Sequence, residues 1–366
     1  MSARKGKIGR RPLASVCCSR DGRSRCTSRG YSLGLLKMEQ GRAEEALGYY
    51  RKSIERKPRH PIAYSNIGVA LSQLGRYAEA VGSFQKAIAL GVRMPEVQAN
   101  LANALLRLGR IDEAIFALRE SVSIDPRRAA THLALGSAYS KKGRPDDALA
   151  SYKAAVEIEP ASAVAHFALG NLLLKHGRAE AAVEHYQTAV ACDPTLAAAH
   201  GNLGLALLQL GRAQDAIAHC RQATLLDPQL TEAHVNLGQA YLRSGRFRDA
   251  VEAFRHALDQ NPAHPSALAN SAWVLAASPD ATVRNGEQAL DLAKRAEQGS
   301  AGRELFALRA LAAAYAETAE FSLAAETIQR ALAMTTNPEQ TATLQGEFEL
   351  YRSGRPFRLP SGGHYN

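Results

Sequence analysis

Aromatic side chains are scarce in this 366-residue sequence: they make up 6% of it, with a single tryptophan, whereas 46% of the chain is hydrophobic. Sheets draw on aromatic and β-branched residues, so a composition rich in Ala, Leu and Arg points to packed helices instead. Long hydrophobic runs are missing as well. No stretch reaches the roughly 18–20 apolar residues of a membrane span, and PLASVCC near the start is too short and poorly flanked for a secretory core. Cysteines are few. Cys17, Cys18, Cys26, Cys192 and Cys220 make no CxxC pair and no even framework, which argues against both a zinc site and a disulfide scaffold. Cys192 and Cys220 fall at apolar helix positions, where a thiol serves as a small hydrophobe. This usage suits a reducing compartment, so the expected location is cytoplasmic.

Catalytic signatures are absent too. There is no phosphate loop, no nucleophile elbow, no HExxH and no acid pair repeated at a useful spacing. Acids such as Asp112-Glu113 and Asp146-Asp147 stand where a helix start favours negative charge. The expectation is a chain that is not an enzyme and needs no cofactor or metal.

The net charge of +10 invites a nucleic-acid reading until it is located. Residues 1–30 hold Arg4, Lys5, Lys7, Arg10, Arg11, Arg20, Arg23, Arg25 and Arg29 against Asp21 alone, which accounts for +8. The rest is nearly balanced, so no nucleic-acid binding is expected of it. The Arg- and Ser-rich, acid-poor start shares its composition with an organelle transit peptide, and equally with an unstructured tail or a misplaced start codon.

What is present is a repeat. Gly-Arg recurs at Gly41, Gly75, Gly109, Gly143, Gly177, Gly211 and Gly245, always 34 residues after the last. On the same step run Pro58, Pro126, Pro160, Pro194, Pro228 and Pro262, with Val92 as the exception. The unbroken small column is Ala46, Ala80, Ala114, Ala148, Ala182, Ala216 and Ala250. A bulky column follows four residues later, at Tyr50, Phe84, Leu118, Tyr152, Tyr186, Cys220 and Phe254. Gly34, Gly68, Ala102, Gly136, Gly170, Gly204 and Gly238 form another column. Gly inside a helix costs about 1 kcal/mol relative to Ala, so its recurrence marks a close helix crossing. Gly-Arg ends a first helix and Pro ends a second.

A 34-residue helix–turn–helix with Leu-Gly, Ala, Phe/Tyr and Pro in this order resembles the tetratricopeptide repeat. The resemblance implies an all-α fold, a right-handed superhelical solenoid of stacked helix–turn–helix hairpins. It divides the chain into a basic tail at 1–26, seven 34-residue units at 27–264, two divergent units at 265–338, and a capping helix with a C-terminal tail at 339–366. The irregular ending is similar to that of bacterial tetratricopeptide proteins in which such repeats follow a membrane glycosyltransferase-like region.

In such a superhelix the helix ahead of each Gly-Arg lines the concave wall. One column there reads Asn66, Asn100, Ala134, Ala168, Asn202, Asn236 and Asn270, and Asn103 and Asn171 lie one helical step further on the same face. Asn offers a donor and an acceptor, which suits both halves of a peptide's backbone amide, and equally suits bridging neighbouring helices. The NLG contexts of Asn202 and Asn236 resemble the repeats of O-linked N-acetylglucosamine transferase, where such a ladder holds substrate polypeptide. Arg107, Lys141, Lys175 and Arg243 near the helix ends give either a basic groove edge or compensation of the helix dipole. His132, His166, His200 and His234 stand one repeat apart, too far for ligands of one zinc ion, since packed helices sit about 8–10 Å from each other.

Two functions fit these features. The first is a non-enzymatic scaffold that binds an extended peptide or a helix of a partner protein in the concave groove. The alternative is the substrate-recruiting arm of a glycosyltransferase whose catalytic part lies outside this chain.

Overall fold

The computed structural model describes residues 28–360. The basic stretch with Cys17, Cys18 and Cys26, and the last six residues, lie outside the described residues. Among these there are nineteen α-helices and no strands. The chain divides into two units, residues 1–160 and 161–366.

In the first unit four hairpins follow one another. They are α1 (Ser28–Glu39) with α2 (Ala43–Arg56), α3 (Pro61–Gln73) with α4 (Tyr77–Ala89), α5 (Pro95–Arg107) with α6 (Ile111–Ile124), and α7 (Ala129–Lys141) with α8 (Pro145–Ile158). Each trailing helix also packs on the next leading helix of the unit.

The turn inside each hairpin follows from local chemistry. Gly41, Gly75, Gly109 and Gly143 have φ of 74–75°, a left-handed backbone open to Gly at little cost. The following Arg N–H then donates to the carbonyl five residues back, as from Arg76 to Leu71 at 2.9 Å. The same Arg opens the trailing helix and pairs with the acid three residues on: Arg42 with Glu45, Arg76 with Glu79, Arg110 with Glu113 and Arg144 with Asp147. All these pairs are exposed, so they bias the turn more than they stabilise it.

Trailing helices bury the Ala column completely, and Tyr50, Phe84 and Leu118 with it. They stop where the chain becomes extended ahead of Pro, as at Asp125 (φ −138°, ψ 96°). Val92 breaks the Pro column, and there Gly91, with φ 97°, ends the helix instead.

The second unit repeats the plan in α9 (Ala163–Lys175) with α10 (Ala179–Cys192), α11 (Ala197–Gln209) with α12 (Ala213–Leu226), and α13 (Thr231–Arg243) with α14 (Phe247–Gln260). Cys220 on α12 is fully buried, and burial pushes its thiol up to about 12. Cys192 departs from the apolar position expected of it: as the last residue of α10 it lies beyond the packed columns and is exposed.

After α14 the regularity breaks. α15 (Pro265–Ala277) ends at Ser278-Pro279 without a Gly-Arg, and eight residues pass before α16 (Gly286–Ser300), whose start is capped by Asn285. The carbonyls left open at the end of α15 are filled from a distance. Asn285 N–H donates to Leu275 O at 3.0 Å, Arg358 Nη1 to Ala276 O at 3.2 Å and Leu359 N–H to Ala277 O at 2.7 Å. α17 (Leu305–Glu317) and α18 (Phe321–Leu332) form a further hairpin, turned by Ala319 at φ 63° where the regular hairpins have Gly.

α19 (Pro338–Arg352) covers the last hairpin. It buries Leu344 and Tyr351 against Ala312, Ala316 and Ile328. Its Glu347, 2% exposed, accepts hydrogen bonds from both Nε and Nη2 of Arg309 of α17. Burial raises the Glu347 carboxyl above the usual carboxylate range, although Arg309 pulls it back.

Candidate functional site

The Asn column lies on the leading helices, two residues ahead of the small position at which the trailing helix comes close. In the first unit Asn66 of α3 is buried and donates from Nδ2 to the Tyr31 hydroxyl of α1 at 2.8 Å. On α5 the arrangement differs. Asn100 is half-buried, Asn103 is exposed, and neither carboxamide has a hydrogen-bond partner among the described residues. Arg107, further along the same helix, lies over the Tyr77 ring at 5.3 Å. Ser65 on α3 has a buried hydroxyl with no partner among the described residues.

In the second unit the carboxamides are committed. Asn171 Oδ1 on α9 accepts from Asn202 Nδ2 of α11 and from the Tyr186 hydroxyl of α10, each at 2.7 Å. Burial raises the Tyr186 phenol well above its ordinary range. Asn236 of α13 is buried and donates to Gly201 O of α11 at 3.2 Å. Asn270 donates within its own helix, to Ser266 O at 2.7 Å. Asn66, Asn202 and Asn236 thus each reach back to the leading helix of the preceding repeat.

The basic positions divide in the same way. Arg243 Nη1 donates to Leu208 O near the end of α11 at 2.5 Å, whereas Lys141 and Lys175 are exposed.

The histidines meet partners that the column alone did not reveal. His132, His200 and His234 place Nε2 at 3.0, 3.3 and 3.1 Å from the carbonyls of Pro126, Pro194 and Pro228, six residues back. On the other side of the ring, His166 Nδ1 lies 3.0 Å from His185 Nδ1, and His200 Nδ1 lies 3.3 Å from His219 Nδ1. The His234 and His256 rings sit 5.6 Å apart. The signal was there in sequence: a second His 19 or 22 residues after the first, on the trailing helix of the same hairpin. Burial holds His200, His219 and His234 below the ordinary imidazole range, and the neighbouring ring adds to this for His219 and His234. Among the described residues no group of three or more His, Cys, Asp or Glu is placed to hold a metal ion, and no helix is long and apolar enough to cross a membrane.

Comparisons with known proteins agree with this architecture. Sequence models of the tetratricopeptide repeat match residues 31–91 and 133–197, residues 207–272, and residues 185–218, together more than half of the chain. A model of the bacterial transcriptional activator domain matches residues 89–159, which span α5 to α8. No curated protein matches in sequence.

Among solved structures, MamA is 30% identical over 44% of this chain and 95% of its own, with a TM-score of 0.42. PilF of Pseudomonas aeruginosa is 24% identical over 60% of this chain and 97% of its own, with a TM-score of 0.50. The APC/C hetero-tetramer Cut9–Hcn1 is 18% identical over 77% of this chain and 54% of its own, with a TM-score of 0.53. At such identities the last two show the fold alone. The 34-residue step, the hairpins it builds and the matching sequence models lead to one conclusion: the chain belongs to the tetratricopeptide repeat family.

Proposed function

We propose that this chain is a non-enzymatic scaffold that holds an extended segment of a partner protein against its leading helices, with α5 as the main polar contact. Tetratricopeptide repeats serve protein–protein interaction in general, and the finer reading rests on one observation. Asn100 and Asn103 present two carboxamides on one helix with no hydrogen-bond partner among the described residues. A carboxamide pairs with both the N–H and the C=O of a peptide backbone, so two of them grip a chain with little regard to its side chains. Asn66 in the same unit, and Asn202 and Asn236 in the other, each brace one repeat on the last instead.

The test compares the full chain with its Asn100→Ala/Asn103→Ala variant in affinity capture followed by mass spectrometry. Partners retained by the wild type and lost by the variant, at an unchanged melting temperature, support the reading. Equal capture by both proteins refutes it.

A further inference from the structure

The last described residues return onto the second unit. α19 closes at Gly354, with φ 70°, and the chain then crosses without helix to α15 and α17. Three consecutive residues make the contact. The Phe357 ring stacks on Trp273 of α15, with centroids 5.3 Å apart and planes 25° apart. Arg358 pairs with Glu317 of α17 at 2.6 Å and donates to Ala276 O. Leu359 donates its N–H to Ala277 O, and its side chain is 3% exposed.

The receiving wall is organised without this segment. Trp273 is fully buried with Phe357 seated on it, and from outside the segment Arg309 lies over its ring at 4.5 Å, itself held by Glu347 of α19. Glu317 is positioned by Arg284 at 3.0 Å. The Ala276 and Ala277 carbonyls are left to the segment because α15, unlike the regular leading helices, has no Gly-Arg turn to close it. Ring, carboxylate and carbonyls are therefore laid out in the order in which an extended chain would meet them.

We infer that α15 and α17 form a peptide-binding slot whose resident ligand is the chain's own segment Pro356–Pro360, and that the slot accepts in trans an extended segment with the same aromatic–arginine–apolar order. The ring selects an aromatic residue, Glu317 and the Ala276 carbonyl select the cation after it, and the Ala277 carbonyl reads the extended backbone. The resident is tethered, so it competes at an effective concentration on the order of millimolar, and a partner segment enters only when it outcompetes that tether. This site is separate from α5, and the two proposals fail independently.

The experiment uses the full-length chain and its Phe357→Ala/Arg358→Ala variant, which weakens the resident and leaves the wall intact. A fluorescein-labelled peptide SGRPFRLP is titrated by anisotropy, beside a control peptide with Ala in place of its Phe and second Arg. The variant is expected to bind SGRPFRLP at least ~10-fold more tightly than the wild type, with no binding of the control, as loss of a tethered competitor requires. Emission of the single tryptophan should shift in the variant and return toward the wild-type spectrum as the peptide saturates. Binding of SGRPFRLP by neither protein, or by both equally, overturns the inference. So does loss of helix content in the variant, which would make the segment a structural clasp.

Discussion

Phe254 occupies the space that a side chain at Gly238 would need: a Cβ there would lie 2.5 Å from the Phe254 ring. The same holds at Gly34 with Tyr50, Gly68 with Phe84, Gly136 with Tyr152, and Gly170 with Tyr186, at 2.5–2.7 Å. Where the column has Ala102, the bulky position carries Leu118, and where Cys220 takes the bulky position the column keeps Gly204, whose added Cβ would meet the Cys220 sulfur. Gly238→Ala is accordingly expected to destabilise the chain by about 1–3 kcal/mol through overpacking. Helix propensity alone would stabilise it by about 1 kcal/mol, so the sign of the change in urea unfolding decides between the two.

Ala319 turns the α17–α18 hairpin at φ 63°, a conformation that regular hairpins give to Gly. Left-handed backbone costs an L-residue about 1–2 kcal/mol. Ala319→Gly is expected to raise stability by about 0.5–1 kcal/mol after the entropy Gly adds to the unfolded chain, read as a higher urea midpoint at an unchanged m-value.

The asparagines separate into two classes by measurement. Asn202→Ala and Asn236→Ala each remove a hydrogen bond between repeats and are expected to cost about 1 kcal/mol. Asn100→Ala and Asn103→Ala remove none and should leave the melting temperature within error. A clear drop for Asn100→Ala would place it among the braces and refute its assignment as a partner contact.

Stability should fall on mild acidification. His200, His219 and His234 have folded pKa values depressed below the ordinary 6.5, mainly by burial. The unfolded chain therefore takes up protons first, and the stability these rings contribute is present above about pH 6.5 and lost as pH falls through the folded values. Thermal melts should be flat near neutrality and fall below pH 6.5. In His219→Ala, where one ring of the half-buried pair is gone, that slope should be shallower.

Much of the fold was legible because the cues are local. Each Gly-Arg turn needs only a left-handed glycine and a carbonyl five residues back, and each Pro acts on the residue before it. The Arg–acid pairs stand three residues apart and could have been paired on paper. The asparagines show where legibility ends. Column position does not distinguish Asn100, whose amide has no partner among the described residues, from Asn202, whose amide is held by Asn171 of the preceding repeat. That partner sits outside the ladder column, one helical step along, and Ala168 had marked its repeat as a gap.

The sequence by itself determined the 34-residue step, the hairpins and their interlocking small and large columns, since these follow from backbone stops and side-chain volume a few residues apart. Only the tertiary structure decided which carboxamides are braces, and that the end of the chain seats Phe357 on Trp273 and Arg358 beside Glu317. Those outcomes depend on which donors and rings meet across tens of residues. No propensity or period encodes that meeting, because it is made by packing alone.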